Sequence, residues 1–506
     1  MQFPSFWSSR DLANVPASQQ HAAFHLAELF SSIDGIGHPT NRSATSTSRT
    51  QTDGTDATPY NRLAWSTEEA WLRVWFAAQM LRRGFNVSTD DFGNQWAWIG
   101  GHPSPETPGI SIGSHLDSVP NGGAFDGPLG VLSAIAAYDQ LHESGWTPSC
   151  PLGIVNFHDE EGGRFAIACF GSRMSTGLLS WEQALSMKDK QGITYAEALA
   201  AFPDFLREVR RQAPSSQALG VYDSATIDKA IRASAAPTVF TGTVTEETLR
   251  LSRQSIAAHV ELHIEQGCAQ RDLAAPIAVA DMIWPHGRWR VDLRGVANHA
   301  GTTPMKERHN PMIAFAKLVL ETQQAALKYQ ARATVGKAII QPNGVNVIPS
   351  HIIAWLDCRA QRVQNVNAVV GDLQQAAAKG MFNAYPKPVH SRTANGNVVP
   401  DCLISQESWT EKTLFSPQLR GELVRSVEQT LGSKPPVIGT AAGHDAGILA
   451  ETGVAAGMIF VRNMTGASHT PDEYATPYDC ALGVEAYAGI VQDVAQQVAE
   501  GWRPQA

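Results

Sequence analysis

The sequence lacks a long hydrophobic run, and this argues against a membrane-spanning helix. No stretch of the 506 residues contains the roughly 18 consecutive apolar residues that a membrane span requires. The N-terminal segment, which begins Met1-Gln2-Phe3-Pro4, has no basic region followed by an apolar stretch of signal-peptide length. We therefore expect a soluble, cytoplasmic protein with no membrane partner.

An excess of positive charge is also missing. The chain has 39 Lys and Arg against 48 Asp and Glu, a formal net charge of -9. Proteins that bind nucleic acid need a basic surface, so we expect no nucleic-acid partner. The six cysteines are scattered and form no CxxC pair, which favours reduced cysteines over a disulfide framework.

Apolar strands alternate with helical patterns in the first part of the chain. Gly109–Gly113 and Leu152–Phe157 have the character of buried strands, and Gly130–Leu141 between them is helical. This alternation predicts an α/β fold whose mixed, mostly parallel sheet lies between helices. Ligands of such folds bind where the carboxyl ends of strands meet loops.

The pattern changes near residue 274. Two alternating strands, Trp289–Leu293 and Ile352–Asp357, lie on either side of the helical run Pro311–Tyr329. We therefore predict a small α+β insert at residues 274–392. The catalytic domain would then be discontinuous, formed by residues 1–273 and 393–506.

Three other segments have local signals. Residues 38–58 are polar and rich in Ser and Thr, which predicts a surface loop. Residues 181–250 are charged and rich in Ala, which favours helices and loops at the surface. Ser66 is expected to cap a helix, with Glu69 reaching back to it.

The first group of residues suited to chemistry follows strand 109–113. His115 can offer one imidazole nitrogen to a metal, and Asp117 can accept the other ring N–H and fix the tautomer. Asp126 lies in a Gly-rich turn that allows its carboxylate to approach closely and bridge two cations. A single His and Asp are, taken alone, more often structural.

The second group is His158-Asp159-Glu160-Glu161, directly after strand 152–157. Adjacent carboxylates repel one another unless they are exposed or neutralised, so a solvated surface would also explain them. Two divalent cations would offset the repulsion. One carboxylate could then bind metal while its neighbour accepts a proton from water.

Two further segments carry histidines near strand ends, His263 in HIEQG and His469 in Ser468-His469-Thr470-Pro471. Four separate strand ends thus offer imidazole or carboxylate groups. This mixture suits Zn²⁺, Mn²⁺, Co²⁺ or Ni²⁺. Independent coincidence explains it poorly, and we predict a metal centre.

Together these motifs resemble the M20-type metallohydrolases, and within them the amidase/hydantoinase branch. That branch includes N-carbamoyl-L-amino acid hydrolases, β-ureidopropionases and allantoate amidohydrolases. The matching segments run in the family's order over about residues 63 to 480: GSHLDSVPNGGAFDG, DEEGGRF, ELHIEQG, NHAGTTPM, AGHDAG and GASHTPDE. The resemblance implies a catalytic domain with an inserted lid that also forms a homodimer.

The resemblance also implies two divalent metal ions in each subunit. By this likeness His115 and His263 would bind one ion, and Asp126 would bridge both. Glu161 and His469 would bind the second ion, with Glu160 as the general base.

On the substrate side, the resemblance implies four contacts: Gln266, His299, Asn346 and Arg359. His299 would reach across the dimer to polarise the carbonyl. Asn346 and Arg359 would bind the substrate carboxylate, for which a guanidinium fork is suited.

Structural alternatives remain for each of these residues. His299 and Asn346 could stabilise turns, Arg359 could pair with a structural acid, and Gln266 could bond backbone groups. We interpret His444-Asp445 as structural, because the metal set is complete without them. The family often has Asp where Asn310 stands, which weakens any argument for an acid there.

The implied reaction is hydrolysis of an N-carbamoyl-L-amino acid to amino acid, CO₂ and NH₃, by a metal-bridging water that Glu160 activates. The substrate would be a small ureido or amide molecule with a free carboxylate. Hydrolysis of allantoate, another ureide or an N-acyl amino acid is the alternative. A non-catalytic binding protein on the same fold is a third interpretation.

Overall fold

The protein is described from a computed structural model, which covers residues 3–38, 58–235, 245, 253–389 and 399–506. The loop predicted at 38–58 therefore lies, apart from its two end residues, outside the described residues. The same holds for most of 236–250, the last part of the segment predicted to be helices and loops. The chain forms two compact units, Met1–Asp281 with Leu414–Ala506, and Met282–Thr413.

The helices are α1 (Ser9–Ala13), α2 (Ala17–Ile33), α3 (Thr67–Arg82), α4 (Pro128–Glu143), α5 (Phe170–Ser175), α6 (Trp181–Ser186), α7 (Tyr195–Gln212), α8 (Ser224–Ala233), α9 (Ala269–Asp272), α10 (Pro311–Lys328), α11 (Val363–Ala378), α12 (Pro417–Leu431), α13 (Asp445–Glu451) and α14 (Pro477–Ala499).

The strands are β1 (Asn86–Thr89), β2 (Gln95–Ile99), β3 (Gly109–His115), β4 (Leu152–Phe157), β5 (Ile256–Ile264), β6 (Ile277–Ile283), β7 (His286–Arg294), β8 (Asn298–His299), β9 (His309–Asn310), β10 (Arg332–Gln341), β11 (Val347–Ile348), β12 (His351–Arg359), β13 (Tyr385–Pro386), β14 (Cys402–Thr410), β15 (Thr413–Leu414), β16 (Val437–Thr440) and β17 (Ala456–Val461).

A large mixed sheet forms the core of the first unit. Its order among the described strands is β1-β2-β4-β3-β5-β17-β6-β15, and β16 also pairs with β6. The central strands β4, β3, β5 and β17 are parallel, whereas β2 and β6 pair antiparallel beside them. The predicted α/β class, with a mixed sheet that is parallel in its core, is confirmed.

Burial on both faces explains why the central strands are so apolar. Every residue of β3 and β4 is buried, as expected for parallel strands covered by helices. Helix α4 approaches β5 closely because Gly130 has no side chain: a Cβ there would lie 2.2 Å from the Leu262 carbonyl oxygen. Such close contact keeps the helix fixed over the strand ends that carry the site.

The segment from residue 181 contributes to the core, although its composition predicted a surface position. Helix α7 buries Tyr195, Leu199, Phe202 and Leu206 on one face. Their spacing of three to four residues is that of an amphipathic helix, which the high average charge had obscured. Phe202 packs edge-on against Trp65, with ring centroids 4.8 Å apart.

Helix α3 begins as predicted, but its acid has another partner. Ser66 caps the helix by accepting a hydrogen bond from the Glu69 backbone N–H at 3.2 Å. The Glu69 carboxylate does not return to Ser66. It accepts from the Trp65 N–H and contacts His158 Nδ1 at 2.7 Å, because the buried His158 ring needs a polar partner.

The second unit contains a four-stranded antiparallel sheet in the order β10-β12-β7-β14. Its own apolar cluster includes Leu318 of α10, Val366 of α11 and Leu356 of β12. The unit starts and ends later than the predicted insert at 274–392. The reason is strand pairing, since β6 pairs with β17 in the large sheet and β14 pairs with β7.

Among the helices in the described ranges, none combines the length and the apolar character needed to cross a bilayer.

Candidate metal centre

The candidate site lies at the carboxyl ends of the four parallel strands. β3 ends at His115, β4 is followed by His158–Glu161, and His263 is next to last in β5. His469 follows β17 through a short loop. Because the order of these strands is β4-β3-β5-β17, their ends lie side by side at one edge of the sheet.

His115, Asp126 and His263 form the first group of possible metal ligands. One ligand atom from each lies within 4.8 Å of the others, and all three residues are buried. His263 Nε2 is 3.1 Å and His115 Nε2 3.7 Å from Asp126 Oδ1. Two imidazoles thus face the same carboxylate oxygen.

The tautomers of both histidines favour a cation between these atoms. His263 Nδ1 lies 2.8 Å from the Ile264 carbonyl, and His115 Nδ1 lies 3.3 Å from the Asp117 carbonyl. An Nδ1–H donated to a carbonyl leaves the lone pair of a neutral ring on Nε2. Within the part of the chain that the structure describes, neither Nε2 atom has a hydrogen-bond partner. The donor set therefore fits a metal ion.

Asp126, Glu161 and His469 form the second group. Glu161 Oε2 is 3.2 Å from His469 Nε2, which is 3.5 Å from Asp126 Oδ2. The buried Glu161 Oε1 accepts no hydrogen bond from the described residues. Asp126 belongs to both groups and directs a different oxygen to each, which is the arrangement expected of a bridging carboxylate.

The turn that carries Asp126 requires a glycine. Gly127 has a φ of +83°, and a Cβ there would lie 2.3 Å from His115 Cε1. Any side chain would thus collide with the imidazole of a ligand candidate. Glu473 fixes the turn from the other side, because its Oε2 accepts from the Asp126 N–H at 2.9 Å and the Phe125 N–H at 3.1 Å.

Asp117 ties two strand ends together. Its Oδ1 accepts from the Glu160 N–H and its Oδ2 from the Glu161 N–H, both at 3.1 Å. The Oδ1 atom also lies 3.4 Å from His115 Nδ1. One carboxylate therefore orients an imidazole and the two neighbouring glutamates.

Glu160 lies beside the first group. Its Oε2 is 3.6 Å from His115 Nε2, and its Oε1 is 3.2 Å from the Cys169 Sγ. Burial raises the pKa of Glu160 well above its usual range, and although His115 opposes this, the nearby carboxylates of Asp445, Glu161 and Asp117 add to it. A buried carboxyl group of this kind is suited to hold a proton.

The pKa values of Asp126, His469 and Glu161 are also shifted from their usual values. Burial acts to raise the pKa of Asp126, but the contact with His263 and the nearby histidine charges lower it overall. The hydrogen bond with Glu161 raises the pKa of His469 to about 9. Burial and the charge of Asp126 raise the pKa of Glu161.

The comparisons with known proteins agree with this geometry. The profile of peptidase family M20/M25/M40 matches residues 111–493. The chain belongs to this family. The M20 family is typically metal-dependent, in line with the two ligand groups.

Relatives of the M20 chain have named activities. The N-carbamoyl-L-amino acid amidohydrolase of Geobacillus stearothermophilus is 32% identical over 447 residues, which cover 86% of this chain and 93% of that protein. The allantoate amidohydrolase of Bacillus subtilis (strain 168) is 29% identical over 439 residues, or 86% of this chain and 92% of that protein.

A solved structure is similar over nearly the whole chain. It is a hydantoinase/carbamoylase family amidase from Burkholderia ambifaria, with a TM-score of 0.67, 27% identity, and coverage of 93% of this chain and 96% of that one. The M20 resemblance inferred from the motifs is confirmed, and the protein is a hydrolase that acts on C–N bonds.

The M20 chain has a third group of possible metal ligands, which was not predicted from the sequence. Glu261, His263 and His444 also bring ligand atoms within 4.8 Å of one another. The ring centroids of His444 and His263 are 4.6 Å apart, and burial lowers the pKa of His444 well below its usual value. Glu261 had a signal, since a residue two positions before His263 in a strand lies on the same face.

Glu261 and His444 differ in their other partners. Glu261 accepts from Ser114 Oγ at 2.7 Å and from the Ala446 N–H at 3.1 Å, so both carboxylate oxygens are in use. The buried His444 Nε2 has no partner among the described residues. The interpretation of His444 as purely structural did not anticipate this position next to His263.

Gln266 lies beside the bridging carboxylate. Its Nε2 donates to Asp126 Oδ2 at 2.8 Å and to Ser468 Oγ at 3.0 Å. The side chain is therefore part of the same cluster, and its amide donates a hydrogen bond to Asp126. Contact with a substrate, which the family resemblance implies, remains a prediction.

The other predicted substrate residues lie in the second unit. His299 is exposed, and its Nδ1 accepts from the Gly301 and Thr302 N–H groups at 3.0 Å. The Asn346 carbonyl accepts from the N–H of Ala300 at 2.8 Å, so Asn346 lies next to the His299 turn. Arg359 makes two bonds to Asp357, at 2.7 and 3.0 Å.

Asn310 has a local role that Asp would also fill. It is the N-cap of α10, and its Oδ1 accepts from the Met312 N–H at 2.9 Å. Asn and Asp are about equally good at this position. The departure from the family pattern at this residue therefore leaves the helix cap intact.

Proposed function

We propose that this protein hydrolyses the C–N bond of an N-carbamoyl-L-amino acid and releases the amino acid, CO₂ and NH₃. One observation carries the proposal: two ligand groups share Asp126 next to the buried Glu160. The named activity of the Geobacillus stearothermophilus relative supports the substrate class.

The residues fit two divalent ions in each subunit, of Zn²⁺, Mn²⁺, Co²⁺ or Ni²⁺. His115 and His263 would hold the first ion, Glu161 and His469 the second, and Asp126 would contact both. Bound cations supply Lewis acidity, which polarises a carbonyl and offsets developing negative charge. Asp117 keeps His115 in the tautomer that offers Nε2.

Glu160 acts as the general base and then as the general acid. Its carboxylate accepts a proton from the attacking water as the water oxygen bonds to the carbamoyl carbon. The C–N bond to the amino acid breaks, and Glu160 returns the proton to the leaving nitrogen. Carbamate then decomposes to CO₂ and NH₃. The raised pKa of Glu160 supports a group that can hold this proton.

His299 polarises the substrate carbonyl from the partner subunit of a homodimer. Because its Nδ1 accepts two backbone N–H groups, the proton of the neutral ring is on Nε2. The exposed His299 therefore presents a hydrogen-bond donor. A donor placed on a developing oxyanion stabilises the transition state by about 3 kcal/mol.

Gln266, Asn346 and Arg359 bind the substrate, and Arg359 pairs with its free carboxylate. In the structure Arg359 donates to Asp357 through Nε at 2.7 Å and Nη2 at 3.0 Å, which is the pairing with an acid that the structural alternative describes, so the assignment to substrate rests on the family resemblance. The planar fork of an arginine matches a carboxylate in two places.

We expect Arg359→Ala to raise KM about 10- to 100-fold for an N-carbamoyl amino acid, the effect of losing a charged hydrogen-bonded pair. The amide of the same substrate should be affected less than threefold. The matched control is Arg290→Ala, since Arg290 pairs with Asp292 at 2.8 and 3.0 Å. An equal effect on both substrates would remove Arg359 from this role.

Metal removal and add-back test the proposed reaction. The chelated protein should release no ammonia, and Zn²⁺, Mn²⁺, Co²⁺ or Ni²⁺ should restore release from N-carbamoyl-L-amino acids. Allantoate and N-acyl amino acids complete the panel, with acid release measured for the latter. Bound metal without turnover of any substrate would instead indicate a non-catalytic binding protein.

Hydrolysis of allantoate is the second candidate function. It is favoured by the 29% identity to the allantoate amidohydrolase of Bacillus subtilis, which covers 86% of this chain. A kcat/KM for allantoate above that for every N-carbamoyl amino acid in the panel would select it. The metal centre and Glu160 would have the same roles.

We also propose a cytoplasmic location. All six cysteines lie in the described ranges and all are free. Five of them are buried. Reduced, unpaired cysteines are typical of proteins in a reducing compartment.

A further inference from the structure

The segment Cys169–Gly171 runs alongside the loop that carries Glu160. Its three consecutive N–H groups donate to the carbonyls of His158–Glu160, at distances between 2.5 and 3.1 Å. The Glu160 N–H donates in turn to Asp117 Oδ1 at 3.1 Å. Both backbone polar groups of Glu160 are therefore bonded, and its main chain is held from two sides.

The two carboxylate oxygens of Glu160 have different surroundings. Cys169 Sγ donates to Oε1 at 3.2 Å. Oε2 lies 3.6 Å from His115 Nε2, on the side of the first ligand group. Because the main chain of Glu160 is held, the contact with the thiol controls which oxygen is turned towards the ligand group.

The Cys169 thiol is a lasting hydrogen-bond donor. Its side chain is buried, and burial raises the pKa of Cys169 well above its usual value, with the charges of Glu160 and Asp445 adding to this effect. The thiol therefore keeps its proton. A thiol is a weak donor, but a hydrogen bond to a carboxylate is stronger than one to a neutral acceptor.

The backbone of Cys169 has a conformation that glycine adopts more easily. Its φ is +55°, in the left-handed region, where a side chain costs free energy. Ser172 of α5 donates to the Asp445 side chain, which ties this turn to α13. A side chain that is kept at a strained position beside the proposed base indicates a role for that side chain.

We propose that Cys169 is a positioning residue for the reaction. Its thiol holds Glu160 Oε1, so that Oε2 is presented to the first ligand group and to the attacking water. Without this donor the carboxylate rotates about its side-chain bonds and spends less time in the reactive orientation. The inference rests on the proposed function, because it takes Glu160 as the general base.

Two substitutions of Cys169 distinguish hydrogen bonding from packing. Cys169→Ala removes the donor and should lower kcat about 10- to 100-fold, the scale of loss for a misplaced group, with KM and metal content nearly unchanged. Cys169→Ser keeps a donor and should stay within about threefold of the native kcat. If the thiol only filled space, the order would be reversed, because a methyl group suits a buried position better than a hydroxyl group. A native rate in Cys169→Ala, or a slower Cys169→Ser, would overturn the proposal.

Cys150 is the matched control for these substitutions. It is also a buried cysteine of the first unit, but it lies just before β4, at the opposite end of that strand from Glu160. Its thiol contacts the Pro151 carbonyl at 3.7 Å. Cys150→Ala and Cys150→Ser should keep kcat within about twofold of the native value, and thermal unfolding checks that all four variants are folded. Equal losses at Cys150 and Cys169 would contradict a specific role for Cys169.

A double variant separates this inference from the proposed function. If Cys169 acts through Glu160, adding Cys169→Ala to Glu160→Gln should lower kcat by less than about twofold. The same loss in both backgrounds would refute the positioning role. A fully active Glu160→Gln would refute the proposed base itself. A slow Glu160→Gln together with a fully active Cys169→Ala would refute only the positioning role.

Infrared spectroscopy of the full-length protein tests the contact without measuring activity. A hydrogen bond lowers the S–H stretching frequency, so the band lost in Cys169→Ser should lie at a lower frequency than the band lost in Cys150→Ser. Glu160→Gln should shift the Cys169 band upwards, since an amide oxygen is a weaker acceptor than a carboxylate. Identical frequencies for the two cysteines, or no shift in Glu160→Gln, would contradict the proposed hydrogen bond.

Discussion

Replacing Glu160 with Gln should leave the metal content unchanged and lower kcat by about 10²- to 10⁴-fold, the usual effect of removing a general acid–base group. Gln has nearly the same size as Glu, so the contact that Glu160 makes with Cys169 Sγ through Oε1 can persist in the variant. The amide cannot accept a proton from water. Metal analysis and initial rates on the same preparation measure both quantities.

Glu161→Gln is the matched control for that variant, because it changes the neighbouring residue in the same way. Glu161 belongs to the second ligand group, so its amide variant should lose metal as well as rate. A near-native rate in Glu160→Gln would remove Glu160 from the base role. Loss of metal from Glu160→Gln would instead make this residue a ligand.

Gly127→Ala should abolish most metal binding and most activity, although it adds only a methyl group. The new Cβ would lie 2.3 Å from His115 Cε1, so the imidazole must move away from Asp126. A φ of +83° adds about 1 kcal/mol or more of backbone strain for an L-residue. Metal stoichiometry after equilibrium dialysis measures the loss directly.

Gly145→Ala is the control that separates backbone strain from the collision with His115. Gly145 also has a φ of +83°, but a Cβ there has nothing within 4 Å. This variant should be destabilised by a similar strain and should keep its full metal content. If Gly127→Ala and Gly145→Ala bound the same amount of metal, the position of His115 would not control the centre.

The parallel core could be predicted from the sequence because its signals are local. Apolar runs at 109–113 and 152–157 mark strands whose residues are all buried. The domain boundaries could not be predicted in the same way. They depend on pairing between β6 and β17, whose partners Ile277 and Val461 are far apart in the chain.

The candidate site likewise combines residues that the sequence predicts with supporting residues that it does not. His115, Glu161, His263 and His469 stand out because they lie at or after strand ends, and Asp126 stands out because it lies in a Gly-rich turn. The structure brings these five residues together. Glu473 supports Asp126 through a bond between residues 347 positions apart, which no local pattern indicates. His158 likewise depends on Glu69, 89 positions earlier in the chain.

Anomalous diffraction from crystals of the Zn²⁺-loaded protein tests the metal centre most directly. We expect two peaks in each subunit, both in contact with Asp126, one between His115 and His263 and the other between Glu161 and His469. A single peak held by Glu261, His263 and His444, or no peak near Asp126, would contradict the shared two-ion centre.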